Sequence, residues 1–80
     1  MLGMAVLGCG RIGRLHARNV ARHPHAQLVK VFDVAAEAAG ATAAELGART
    51  ARSVEELWSD RDVAAVLISQ RRTGPAMAFR

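Results

Sequence analysis

The chain has 80 residues, 51% of them hydrophobic and 22% charged, and a formal net charge of +4. That length makes one small domain with no room for a second, and the composition is globular. No apolar run approaches the ~20 residues that span a bilayer, no leading basic segment with a long apolar stretch marks a secretion signal, and the single cysteine excludes an internal disulfide and suits a reducing cytoplasm.

In chain order, residues 2–7 form an apolar strand-like run, followed by Gly8-Cys9-Gly10-Arg11-Ile12-Gly13 and a helix-like stretch over 11–22. Pro24 breaks the helical pattern and marks a turn into a second strand, 27–32, which ends in Asp33. From Gly13 to that carboxylate is 33 − 13 = 20 residues. A lone GxGxxG is weak evidence. Strand, glycines, helix and a strand-end acid at this spacing together predict a dinucleotide-binding unit, against the alternative of an ordinary glycine turn.

Each residue type has a physical task. Gly8 permits the tight strand-to-helix turn, Gly10 lets a diphosphate approach the backbone, and Gly13 lets the helix sit close to the strand. The backbone N–H groups of Arg11 and Ile12, at the positive end of the helix dipole, are the expected phosphate donors. Asp33 is expected to accept hydrogen bonds from the adenosine ribose hydroxyls. It would repel a 2′-phosphate, and Val34 and Ala35 offer no cation to hold one, so NAD is favoured over NADP.

A helix over 35–46, a short strand at 48–51, a helix over 53–59 and a strand over 63–69 follow. Gly47 suits a helix C-terminus, and Ser53 with Glu56 makes a capping box ahead of the Val54, Leu57, Trp58 stripe. Alternating strands and helices predict an α/β fold, a Rossmann-type parallel sheet of order 3-2-1-4 with helices on both faces. Ser69 ends the fourth strand beside the switch point and completes the expected cofactor-binding set. Residues 70–80 show no periodicity and read as an irregular basic tail, leaving the fourth strand as an open edge where another chain could pair.

The basic balance raises nucleic acid as a partner. Arg11, Arg14, Arg18 and Arg22 fall on one helical stripe, which reads more simply as a solvated face, and no aromatic residues interleave with it. His16, His23 and His25 lack the spaced cysteine or acid of a metal set. No Ser/His/Asp or Cys/His arrangement can be assigned, so neither a catalytic nor a metal residue is expected.

Ala5 to Ala17, Val31-Phe32-Asp33-Val34, Ser53-Val54-Glu55-Glu56-Leu57 and Asp62 to Ile68 resemble, in order, the opening landmarks of the glucose–fructose oxidoreductase and inositol dehydrogenase family. Myo-inositol 2-dehydrogenase-like members fit best, and the resemblance covers residues 1–69. It implies hydride transfer between a sugar or cyclitol CH–OH and nicotinamide in an intact homologue. It also implies a Thr-rich loop ending in His after the fourth strand, a Glu-Lys-Pro motif whose lysine assists catalysis, and a C-terminal α/β substrate domain. Residues 70–80 do not match that loop, and the later features are absent from this sequence. The expectation is therefore a partial NAD-binding domain over 1–69, truncated or shifted in frame beyond it and not catalytic alone. A noncatalytic nucleotide-binding or interaction module and a basic nucleic-acid binder are the alternatives.

Overall fold

A computed structural model describes residues 1–69 and 76–79. The elements are β1 (Leu2–Leu7), α1 (Arg11–Arg22), β2 (Ala26–Phe32), α2 (Ala36–Leu46), β3 (Arg49–Thr50), α3 (Val54–Ser59), β4 (Ala65–Ile68) and β5 (Ala76–Phe79). They build a five-stranded sheet of order β3-β2-β1-β4-β5. β1 pairs in parallel with β2 and β4, and β2 with β3. β5 runs antiparallel to β4, with Ala65 opposite Phe79 and Leu67 opposite Met77.

This extends the predicted 3-2-1-4 order by one strand and corrects two expectations. Residues 76–79 are a strand rather than part of an irregular tail, and β4 is not an open edge. Unpaired backbone along an apolar strand is costly to leave dry, and the short apolar segment 76–79 satisfies that edge. The rest of the predicted tail, 70–75 and 80, lies outside the described residues. β3 is shorter than the predicted 48–51. β4 starts later than predicted because the Val63 amide bonds to the Asp60 carbonyl in a turn, and only from Ala64, whose amide donates to the Gly3 carbonyl of β1, does the chain turn toward the sheet.

Right-handed crossovers place α1 and α2 on one face and α3 on the other. The first face is a core of small and branched residues, among them Met4, Val6, Ala17, Val20, Val31, Ala39 and Ala43. The second packs Ala5, Val29, Leu57, Val63 and Val66, with Trp58 half-buried against them. Abundant alanine lets the helices lie close to the sheet. Gly3 serves a similar end, because a Cβ there would stand 1.7 Å from the Asp62 carbonyl oxygen.

Local signals set most boundaries. Gly47 closes α2 in the left-handed region at φ 70°. Ser53 Oγ accepts from the Glu56 amide, whereas the Glu56 carboxylate reaches the Arg52 amide, one residue before the position that a capping box would use. Val54 remains exposed at the rim of α3. Lys30 is buried on β2, with its ammonium 3.2 Å from Asp60 and 3.6 Å from Glu56. Arg49 also reaches Asp60, at 3.2 Å. No helix among the described residues is long and apolar enough to cross a membrane.

Candidate functional site

The site forms where β1 and β4 diverge at their carboxyl ends, the switch point of the sheet. Past Leu7 the chain turns at Gly8, whose φ of +100° is open to glycine and strained for other residues. The Gly8 amide donates to the Phe32 carbonyl at 2.7 Å, and the Ser69 amide donates to the Leu7 carbonyl at 2.9 Å, so β2 and β4 both hold the turn. A Cβ on Gly13 would sit 1.9 Å from the Gly8 carbonyl oxygen. The helix therefore touches the turn through bare backbone.

Gly10 differs from both. Its φ of −69° is ordinary, and a Cβ there would meet nothing within 4 Å. Neither conformation nor packing against the described residues requires glycine at that position. It is the N-cap of α1 and offers no side chain to the helix start, and the first turn holds no acidic residue. The opening amides of α1, including those of Arg11 and Ile12, thus present the unpaired donors of a helix start.

Asp33 faces this opening. Its Oδ2 accepts from the Cys9 amide at 2.6 Å and its Oδ1 from the Ala35 amide at 2.8 Å. One carboxylate thereby ties the glycine turn to the start of α2. Each carboxylate oxygen has the capacity to accept a second hydrogen bond. Gly8, Gly10, Arg11, Ile12, Gly13, Asp33 and Ser69 all line one cavity of about 380 Å³, closed by Ala35 and Ala38. The structure brings the whole predicted set together.

A second cavity of about 620 Å³ shares Asp33 and is bordered by Val34, Thr50, Ala51 and Arg52. The sequence reading gave Thr50, Ala51 and Arg52 no role in the site and named Val34 only as offering no cation. Their signal was topological, since they follow the carboxyl ends of neighbouring parallel strands, where ligands of open α/β sheets lie.

The remaining predicted features resolve into packing. Cys9 is buried, and burial is the main cause holding its thiol above the usual value. Its Sγ lies 3.8 Å from the Phe32 carbonyl. The arginine stripe is not simply solvated. Arg18 makes a two-point pair with Glu45 at 2.6 and 3.1 Å, and Arg14 Nε donates to Thr42 at 3.4 Å, so these two join α1 to α2. His16 lies on the other flank of α1, where its Nε2 is buried without a partner among the described residues. Among those residues, no group of three or more His, Cys, Asp or Glu is placed to hold a metal.

Residues 2–78 match the model of the oxidoreductase family with an NAD-binding Rossmann fold. Among solved structures, a myo-inositol dehydrogenase from Corynebacterium glutamicum superposes with a TM-score of 0.80 at 34% identity, over 89% of this chain and 21% of its own. UDP-N-acetylglucosamine 3-dehydrogenase from Acidithiobacillus ferrooxidans gives 0.76 at 40% identity, over 86% and 21%. GenD2 from gentamicin A biosynthesis, solved in complex with NAD, gives 0.82 at 30%, over 86% and 20%. The chain thus spans about a fifth of the length of these proteins. No functionally curated protein matches it in sequence. A glycine turn, a strand-end carboxylate and a sheet of this order, matched over nearly the whole chain, place it in the glucose–fructose oxidoreductase and inositol dehydrogenase family of NAD-binding Rossmann oxidoreductases.

Proposed function

We propose that the chain is the N-terminal dinucleotide-binding part of an NAD-dependent oxidoreductase acting on a sugar or cyclitol CH–OH group, and that alone it binds the AMP half of NAD without catalysis. The observation that carries this reading is Gly10, a glycine that no contact among the described residues requires, set over a cavity that Asp33 faces. A phosphate fits the space that a Cβ would fill.

In this reading the amides of Arg11 and Ile12 hold the diphosphate, aided by the helix dipole. Gly8 and Gly13 shape the turn, and Ser69 borders the path toward the nicotinamide. The remaining acceptor capacity of Asp33 takes the ribose hydroxyls. A 2′-phosphate there would meet a carboxylate already fixed by two amides, which favours NAD over NADP. The cavity between Val34 and Arg52 would seat the adenine.

NAD supplies hydride acceptance when bound. The chain's own residues bind and orient it. Hydride transfer also needs a positioned substrate and a proton acceptor, and among the described residues the one carboxylate lining the glycine-turn cavity, Asp33, is engaged in holding backbone. The substrate class rests on two neighbours named as dehydrogenases of myo-inositol and of UDP-N-acetylglucosamine. A buried, reduced Cys9 suits the cytoplasm. Calorimetric titration of the folded chain with NAD, NADP and AMP tests the reading. Heat with NAD and AMP that Asp33→Ala abolishes supports it, and no heat with any of the three refutes it.

A further inference from the structure

We propose, on the nucleotide-binding reading above, that Arg52 is the cation that meets a phosphate on the adenosine 2′ oxygen and so limits how strongly this chain prefers NAD to NADP. The positions straight after Asp33, Val34 and Ala35, carry no charge. The fold brings one from 52 − 33 = 19 residues farther along. β2 and β3 pair with Lys30 beside Arg49 and Val31 beside Thr50, and the Ala51 amide donates to the Val31 carbonyl at 2.9 Å. Carrying that register on by two residues sets Arg52 beside Asp33. Adjoining strands lie ~4.8 Å apart, a gap that an arginine side chain spans. Both residues line the cavity of about 620 Å³.

Arg52 is anchored through its backbone and available through its side chain. Its amide donates to the Glu56 carboxylate, and Ser53 beside it caps α3, so the helix start fixes its position. Arg14, Arg18 and Arg49 spend their side chains on Thr42, Glu45 and Asp60. The exposed guanidinium of Arg52 makes no hydrogen bond or ion pair among the described residues. Its neighbour Glu56 is also drawn to Lys30. Across the cavity stands α2, where a Cβ on Gly40 would meet nothing within 4 Å. That wall leaves room for a group the size of a phosphate.

The two charges act on different ligands. The Asp33 carboxylate accepts from the Cys9 and Ala35 amides and cannot swing aside from a 2′-phosphate without stranding them, so NAD stays ahead. A guanidinium presents a fork of donors that matches phosphate oxygens, and its attraction offsets part of that repulsion. The backbone pairing of β2 with β3 fixes both residues, whatever covers the rest of the sheet.

Calorimetric titration of the full chain with 5′-AMP and with adenosine 2′,5′-bisphosphate tests it, because the two differ only by the 2′-phosphate. Any part that Arg52 plays at the adenine is common to both ligands, so the ratio of their affinities reads the 2′ position alone. The parent should bind both, AMP more tightly. Arg52→Ala should lower the bisphosphate-to-AMP ratio about tenfold or more. Arg52→Lys keeps the charge without the fork and should lower it less. Arg61→Ala removes an equal charge from the turn between α3 and β4, at the far end of the sheet, and should leave the ratio as in the parent. Circular dichroism reports the fold of each variant. An Arg52→Ala ratio equal to the parent's, an equal loss in Arg61→Ala, or a parent that binds AMP and not the bisphosphate overturns the proposal. No heat with AMP itself refutes the nucleotide reading, and the role of Arg52 with it.

Discussion

Alanine at Gly10 and at Gly13 should have opposite consequences, although the two lie within one short motif. At Gly13 the added Cβ would stand 1.9 Å from the Gly8 carbonyl oxygen and 2.6 Å from its carbon. An ordinary contact needs more than an ångström of retreat, and the obstacle is backbone rather than a mobile side chain. α1 must then lift from the turn, loosening the burial of Ala17 and Val20. Overpacking of this kind costs about 1–3 kcal/mol, and unyielding backbone favours the upper end. A chain of this length holds roughly 4–12 kcal/mol in total, so about 3 kcal/mol is a large share. It should lower the thermal midpoint by some 12–24 °C. At Gly10 the backbone is ordinary and the space is empty. Gly10→Ala should leave stability unchanged or raise it by about 0.4–1 kcal/mol through the unfolded chain. The same methyl would occupy the place of a phosphate and lower NAD affinity about tenfold or more. Thermal unfolding by circular dichroism and calorimetric titration of both variants make the comparison. A Gly10→Ala chain that binds NAD as well as the parent refutes the assignment of the cavity, and a Gly13→Ala chain of parental stability refutes the packing argument.

Asp33→Ala should do double damage, because it strands the Cys9 and Ala35 amides as well as removing the proposed ribose acceptor. Stability should fall by about 1–3 kcal/mol in urea titration, and the calorimetric signal with NAD should be lost. Gly40→Ala should stabilise by about 0.5–1 kcal/mol, since the site is mid-helix with open space around a Cβ. Leu57→Ala, at the centre of the α3-side core, should cost about 2–5 kcal/mol. For acid stability, the Arg52 amide and then Lys30 hold Glu56 below the usual carboxylate range. Asp60 is held low by the Asp62 amide and then Lys30, and Glu45 by Arg18. The folded values lie below the unfolded ones, so the unfolded chain binds more protons as pH falls. The stabilisation is complete above the ordinary value of about 4 and disappears as pH drops through the depressed values. Urea midpoints measured downward from neutral pH should decline in that window, and Lys30→Met should flatten the decline. Cys9 acts in the other direction, since its raised value contributes stability that is lost only as pH rises into the alkaline range.

What could be read from sequence alone was whatever depends on residues close together in the chain. The glycine turn, the close of α2 at Gly47, the start of α3 at Ser53 and the order of the parallel strands follow from backbone freedom, capping and crossover handedness. The carboxylate of Asp33 was legible as well, because a fixed spacing from Gly13 stands in for distance in space. Only the tertiary structure decided the features that depend on a distant neighbour. Segment 76–79 has too little pattern to declare itself a strand, and it becomes one because β4 presents it with unpaired backbone. Arg14 and Arg18 look solvent-facing on a helical wheel until α2 brings Thr42 and Glu45 beside them. Lys30 is a charge inside an apolar strand, and its partners on α3 and the turn after it stand more than twenty residues away along the chain. Even the binding turn divides in this way. Its glycines are evident in the sequence, but that Gly13 is held by the fold while Gly10 stands open to a ligand follows only from where their missing Cβ atoms would point.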